Sequence, residues 1–94
     1  MDIQDKVVII TGASGGIGLA TARLFAQEGA KVALAARSAD TLNSIINELH
    51  EHHREAIAVP TDMRNKDAIS AMVDSVFQQY GRIDILIKIG RAHV

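Results

Sequence analysis

The chain has 94 residues, of which 48% are hydrophobic and 3% aromatic, a composition that predicts one small domain with an aliphatic core rather than a disordered chain. Ten Lys and Arg are balanced by eleven Asp and Glu, with both signs scattered, which argues against nucleic-acid binding. Cysteine is absent, which excludes disulfides. Residues 1–6 lack the apolar stretch of a secretory signal, and the longest aliphatic runs fall far short of the ~20 residues that span a bilayer. We therefore expect no membrane association and a cytoplasmic location.

The first half of the chain predicts two strands and two helices. Residues 6–11 form a β-branched run that ends at glycines, which is typical of a strand buried on both faces of a parallel sheet. A mostly apolar set then recurs at three- and four-residue steps, namely Ile17, Ala20, Thr21, Leu24, Phe25 and Glu28, and Gly29 is placed to end that helix. Residues 31–36 predict a second buried strand. Ser38 is the predicted N-cap of a second helix that ends near residue 53.

The second half continues the same alternation. Residues 55–59 predict a third strand, closed by Pro60 because proline cannot continue a central ladder. Asn65 is the predicted N-cap of a third helix that ends at Gly81, and residues 83–89 predict a fourth strand.

Alternating strands and helices without a hairpin signal predict a parallel sheet built by right-handed crossovers. The expected fold is α/β, a partial Rossmann-like three-layer sheet with strand order 3-2-1-4, and residues 1–94 form one domain. Two helices would cover one face and one helix the other, so the fourth strand becomes an open apolar edge. Such an edge invites pairing with another chain, and we expect self-association through it.

The segment between the first strand and the first helix reads Thr11-Gly-Ala-Ser-Gly-Gly-Ile-Gly18. Gly12 allows a tight turn off the strand, while Gly15 and Gly16 allow a pyrophosphate to approach the backbone. Gly18 allows the helix to pack closely on the strand. The free N–H groups around Ile17, at the positive end of the helix, would then face the phosphate. The alternative is a tight strand-to-helix turn with no ligand.

This chain resembles the N-terminal part of a short-chain dehydrogenase/reductase. The family's first turn, Thr-Gly-x-x-x-Gly-x-Gly, is matched by Thr11, Gly12, Gly16 and Gly18. The Asp that ends its third strand is matched by Asp62, and its Asp-x-Leu at the fourth strand by residues 84–86. The resemblance covers essentially the whole chain and implies an oxidoreductase that carries hydride between a nicotinamide cofactor and a carbonyl or alcohol substrate.

The end of the second strand favours NADP over NAD. An acidic residue about 20 residues past the glycines would accept hydrogen bonds from a ribose 2′-OH, but Arg37 and Ser38 occupy this place. Arg37 can bind a 2′-phosphate, with Ser38 and Ser14 as further donors. In the alternative interpretation Arg37 is a solvated loop residue and Ser38 only a helix cap.

The resemblance also implies roles for Asp62 and Met63. The Asp62 carboxylate would accept from the adenine amino group, and the Met63 backbone would donate to the adenine ring. Alternatively, Asp62 only starts the turn into the third helix.

The family's catalytic Ser and Tyr-x-x-x-Lys motif is missing. Residue 84, four positions after the only tyrosine, Tyr80, is aspartate, so we assign Tyr80 to the core and no residue to catalysis. The Asn-Asn-Ala-Gly that follows the family's fourth strand is also missing, since Lys88-Ile89-Gly90 stands there. The expected whole is therefore a dinucleotide-binding half without its catalytic C-terminal half, inactive alone. The alternative is a non-catalytic truncated subunit that associates with itself or with a full-length relative.

A metal site is not expected. His50, His52 and His53 lie near a predicted helix end, where nothing fixes their orientation.

Overall fold

The computed structural model describes residues 2–12 and 15–89. In chain order, its elements are β1 Val7–Thr11, α1 Gly16–Gln27, β2 Lys31–Ala36, α2 Ala39–Glu51, β3 Ala56–Pro60, α3 Lys66–Tyr80 and β4 Ile85–Lys88. All neighbouring strands are parallel, and the sheet order is β3-β2-β1-β4. The predicted Rossmann-like topology is thus confirmed.

The sheet separates two apolar clusters, because successive residues of a strand face opposite sides. Val8 and Ile10 of β1 belong to the cluster under α1 and α2, whereas Val7 and Ile9 belong to the cluster under α3. All five residues of β1 are buried. The three-layer arrangement therefore follows from a central strand that is aliphatic on both faces.

The helix ends agree with their predicted caps. The Ser38 hydroxyl accepts from Thr41 N–H at 3.3 Å, and the Asn65 side chain accepts from Ala68 N–H at 3.1 Å. Gly81 ends α3 in the left-handed region, with φ of 76°. These caps fix where the loops after β2 and β3 give way to α2 and α3.

The prediction that the fourth strand starts at residue 83 is wrong, because β4 begins at Ile85. Asp84 takes over the pairing with β1 at this point. Its N–H donates to Val7 C=O at 2.9 Å, and its carboxylate accepts from Val7 N–H at 2.9 Å. Arg82 also donates to this carboxylate through two nitrogens, at 2.9 and 2.7 Å. The Asp84 carboxylate is thus the acceptor for Val7 N–H just before β4 begins.

The third strand runs one residue further than predicted and includes Pro60, which lies opposite Ala36. Proline is tolerated here because β3 is an edge strand and this position ends it. No helix among residues 2–12 and 15–89 is both long and apolar enough to cross a membrane.

Candidate nucleotide-binding site

Backbone hydrogen bonds bring the segments that follow all four strands to one edge of the sheet. Gly12 N–H donates to Ala35 C=O at 2.8 Å, and Thr61 N–H donates to Ala36 C=O at 2.8 Å. On the other side, Ile89 N–H donates to Thr11 C=O at 3.0 Å. In open parallel sheets, ligands bind in the crevice at this carboxyl edge.

Gly12 makes the turn off β1 with φ of +72°, a conformation that other residues rarely adopt. A Cβ atom added here would also collide with the carbonyl oxygen of Ile89. The tight turn was predicted from the sequence, whereas the close passage of the Ile89 backbone was not. Gly12 therefore serves both the turn and the packing of the chain segment after β4.

The amino end of α1 is open. Gly15 is its N-cap residue and offers no capping side chain, and the first turn contains no acidic residue. Apart from the chain neighbours of each glycine and the backbone of α1, no atom of the described residues lies within 4 Å of a Cβ built at Gly15 or Gly16. Because Leu19 N–H is the first to bond back, to Gly15 C=O at 3.1 Å, the N–H groups of residues 16–18 precede the intrahelical ladder. This is the arrangement that a phosphate group requires.

The remaining residues of the glycine segment have distinct environments. Ile17 is 74% exposed and therefore lies on the solvent-facing side of α1. Gly18, in contrast, is buried. The helix begins at Gly16, one residue before the predicted start. Ser14, predicted as a donor to a 2′-phosphate, lies outside the described residues.

Beside the glycine turn is an open pocket of about 500 Å³. Its lining comes from the ends of β1, β2 and β3 and the residues after them, namely Gly12, Ala36, Arg37, Ser38, Thr61, Asp62, Met63 and Arg64. Four of the predicted site residues beyond the glycine segment, Arg37, Ser38, Asp62 and Met63, thus lie together. Arg37 is exposed, and its guanidinium forms no hydrogen bond or ion pair with the described residues.

The Asp62 carboxylate is held by a residue that the sequence analysis did not single out, Arg64. Arg64 Nε and backbone N–H both donate to Oδ1, at 3.1 and 3.0 Å, and a terminal guanidinium nitrogen donates to Oδ2 at 3.2 Å. The hydrogen bonds from Arg64, first from its side chain and then from its backbone, lower the pKa of the Asp62 carboxyl. Asp62 is therefore charged and oriented at the pocket wall. An arginine two positions after the aspartate was the available sequence signal.

Ser38 and Met63 both line the pocket and also make contacts that stabilise the fold. The Ser38 hydroxyl donates to Thr41 Oγ1 at 2.9 Å while it caps α2, so the alternative role as a helix cap is present in the structure. The Met63 side chain packs against the apolar cluster under α3. Any contact of Ser38 with a phosphate would require its hydroxyl to exchange this donor bond.

Tyr80 lies at the opposite, amino-terminal edge of the sheet. Its hydroxyl donates to Glu55 Oε1 at 3.1 Å, and Lys31 Nζ lies 5.8 Å from the ring centroid. Burial raises the pKa of Tyr80, and the neighbouring Glu55 carboxylate raises it further. The ring packs against the cluster under α3, in agreement with its assignment to the core.

Of the three histidines near the end of α2, His50 has a defined contact. His50 Nε2 lies 2.9 Å from the Ala56 carbonyl oxygen, a contact that joins the end of α2 to β3. Within the described ranges, no three His, Cys, Asp or Glu side chains are grouped so that they could hold a metal ion.

The fold and the glycine turn define a Rossmann-like nucleotide-binding protein. The model of the short chain dehydrogenase family matches residues 6–90, and the chain belongs to that family. An uncharacterized oxidoreductase of Listeria monocytogenes is 42% identical over 86 residues, a match that covers 92% of this chain and 35% of the relative. The chain thus spans about a third of the length of such relatives.

Solved structures extend this similarity to proteins with bound cofactors. The L-sorbose reductase of Gluconobacter frateurii, complexed with NADPH and L-sorbose, is 38% identical with a TM-score of 0.90, over 98% of this chain and 36% of that one. A short chain dehydrogenase/reductase of Burkholderia phymatum in complex with NAD is 31% identical with a TM-score of 0.88, over 92% and 31% of the two chains. Both cofactors therefore occur among similar structures.

Proposed function

We propose that this chain supplies the adenosine-binding part of an NADP-dependent oxidoreductase that carries hydride between the nicotinamide and a carbonyl or alcohol substrate. The observation that carries the proposal is the position of Arg37, an exposed residue that lines the pocket beside the glycine turn, from which the open amino end of α1 continues. A dinucleotide would place its diphosphate at residues 15–18 and its adenosine beside Arg37 and Asp62.

The preference for a 2′-phosphate rests on charge. The acid that would accept hydrogen bonds from a ribose 2′-OH is absent at the end of β2, where Arg37 and Ser38 stand. The one carboxylate of the pocket lining, that of Asp62, is engaged by Arg64. A guanidinium without a partner among the described residues is suited to a doubly charged phosphate, since it donates through two nitrogens at once.

The cofactor, when bound, supplies the hydride, and the chain's own residues supply binding and orientation. Asp62 would accept from the adenine amino group, and the Met63 backbone would donate to the ring. The proton donor that carbonyl reduction requires is not provided by Tyr80, which lies at the opposite edge of the sheet and donates to Glu55. We therefore propose that these 94 residues bind nucleotide without catalysing hydride transfer on their own, and that no catalytic residue lies among them.

Isothermal titration calorimetry with NADPH and with adenosine 2′,5′-bisphosphate tests the proposal, using the wild type, Arg37→Ala and Arg54→Ala. Both ligands should bind the wild type with similar affinity, because the adenosine half dominates. Arg37→Ala should weaken both by about tenfold or more, the loss of one charge-assisted contact. Arg54→Ala, which removes an arginine near the amino-terminal edge, should leave both affinities unchanged. Equal losses in the two variants would refute a specific role for Arg37.

A second candidate function, as a non-catalytic subunit that associates with a second copy, is favoured by the exposed side of β4. Leu86 lies opposite Ile9 on the face covered by α3, yet its side chain is 51% exposed. Phe77 of α3 is 56% exposed. β4 is an edge strand among the described residues, so two copies can pair their edges into one continuous sheet.

Light scattering after size-exclusion chromatography tests this association. The wild type should exceed the monomer mass at micromolar concentration, and Leu86→Lys should restore the monomer because a charge at the edge opposes pairing. Asp74→Lys, an exposed change on α3, is the control and should keep the wild-type mass. A monomeric wild type would exclude this candidate without affecting nucleotide binding.

A further inference from the structure

The pocket beside the glycine turn contains two arginines that are used differently. Arg64 is bound to both carboxylate oxygens of Asp62, whereas Arg37 has no such partner among the described residues. Both arginines line the same cavity. Within one pocket, Arg64 is therefore paired with a carboxylate, while Arg37 is available to a ligand.

The carboxylate of Asp62 is the group that connects the two arginines. In addition to the hydrogen bonds from Arg64, the positive charge of Arg37 lowers the pKa of Asp62, so the field of Arg37 reaches this carboxylate. An Asp62 without Arg64 would remain a full negative charge in a pocket whose one other charged lining residue is Arg37. It would then attract Arg37 and repel an anionic ligand.

We propose that Arg64 is a specificity-determining residue, which occupies the Asp62 carboxylate and so leaves Arg37 available for a phosphate on the adenosine ribose. The inference rests on the proposed binding of a 2′-phosphorylated adenosine in this pocket. It assigns Arg64 a positioning role: Arg64 acts through Asp62 and does not itself contact the phosphate.

The pair of ligands that isolates this role is adenosine 2′,5′-bisphosphate and AMP. They share the adenine, the ribose and the 5′-phosphate, and differ only in the 2′-phosphate. The ratio of their dissociation constants therefore reports the preference for that group, and any general loss of adenine binding cancels from it. Calorimetry gives the ratio for the wild type, Arg64→Gln, Arg64→Lys, Asp62→Asn and the double variant Asp62→Asn/Arg64→Gln.

The wild type should prefer the bisphosphate. Arg64→Gln should reduce the preference by about threefold to fivefold, the size expected for a solvent-exposed charge interaction. Arg64→Lys should keep most of the preference, because it retains the positive charge. The double variant should recover the wild-type ratio, because Asp62→Asn removes the charge that Arg64 compensates. This recovery is a result that a purely structural role of Arg64 would not produce.

A matched control is available in the same chain. Arg82 and Asp84 form an ion pair over the same sequence separation, at 2.7 Å, and join β4 to the start of β1 away from the pocket. Arg82→Gln should leave the ratio unchanged. Melting temperatures of all variants show that each is folded under the conditions of the titration.

Each other outcome contradicts the inference in a distinct way. An unchanged ratio in Arg64→Gln, with the preference still lost in Arg37→Ala, overturns the role of Arg64 alone. A reduced ratio that the double variant does not recover shows that Arg64 binds the phosphate directly. A wild type that binds neither ligand, or binds both equally, overturns the proposed NADP site together with this inference.

Discussion

Two aliphatic strands of the sheet, β2 and β4, differ in how deeply they are buried. In β2 every residue from Val32 to Ala36 is buried, while β4 alternates between half-buried and exposed positions. The difference arises because β2 lies between two strands with an apolar cluster on each face, whereas β4 is an edge strand of which Ile85 and Ile87 pack only at the margin of the cluster under α1 and α2. The burial of a strand therefore depends on its neighbours in the fold as well as on its own sequence.

The segments at the two ends of β4 contact β1 and the glycine turn. The backbone after it passes next to Gly12, and Asp84 before it binds the backbone of Val7. The β2 and β3 side instead contributes side chains, since Arg37, Asp62 and Arg64 line the pocket there. The candidate site therefore combines a backbone half and a side-chain half.

We expect the largest change in the free energy of unfolding from truncation of a buried leucine, so we compare Leu34→Ala with Leu86→Ala. Leu34 is completely buried under α1 and α2, so its truncation should lower the free energy of unfolding by about 3 kcal/mol, within the usual range for buried leucines. Leu86→Ala should cost less than about 1 kcal/mol because its side chain is half exposed. Urea unfolding measures both. Equal costs would mean that the edge of β4 is covered in solution, and a dependence on protein concentration would identify the cover as a second copy.

A smaller effect is expected from Gly12→Ala, compared with Gly81→Ala. Both glycines have positive φ, 72° and 76°, so both substitutions carry a conformational cost of about 1 kcal/mol. Only at Gly12 would the new methyl group meet the Ile89 carbonyl, whereas the space around Gly81 is open. Thermal unfolding should therefore show a clearly lower melting temperature for Gly12→Ala than for Gly81→Ala. Equal shifts would argue against the close passage of Ile89.

The smallest expected effect concerns the pH dependence of stability through Asp84. The hydrogen bonds from Arg82 and from Val7 N–H lower the pKa of Asp84 in the folded chain. The resulting stabilisation is present above the unfolded pKa of about 3.9 and is lost as the pH falls through the lower folded value. Asp84→Asn should lower the melting temperature at pH 7 and reduce its fall between pH 5 and acid conditions. Asp74→Asn, the same change on the exposed face of α3, should keep the wild-type pH profile; matching profiles for the two variants would contradict the role of Asp84.

Local patterns predicted the fold because each element carries its own signals. Ser38 and Asn65 are caps in the structure as predicted, and the aliphatic run of β1 is buried on both faces. The start of β4 was mispredicted because a side-chain carboxylate, that of Asp84, accepts from the N–H of Val7, which lies 77 positions away in the chain. Hydropathy periodicity does not contain such a contact.

The candidate site was predicted chiefly where its residues belong to a local motif. The glycines and Asp62 match a motif, so their positions at the carboxyl edge followed from topology. Arg64 was missed because its place two positions after Asp62 was the one available sequence signal, and its role depends on the geometry of its side chain toward the Asp62 carboxylate.

The proposed function places a dinucleotide along the carboxyl edge of the sheet, with its diphosphate at the amino end of α1 and its adenosine beside Arg37. A titration of the isotope-labelled chain with NADPH, followed by amide NMR shifts, tests it most directly. We expect the largest shifts at residues 15–18 and 61–64. Shifts concentrated instead in the groove of about 320 Å³ lined by Arg23, Glu48 and Arg54 would contradict it.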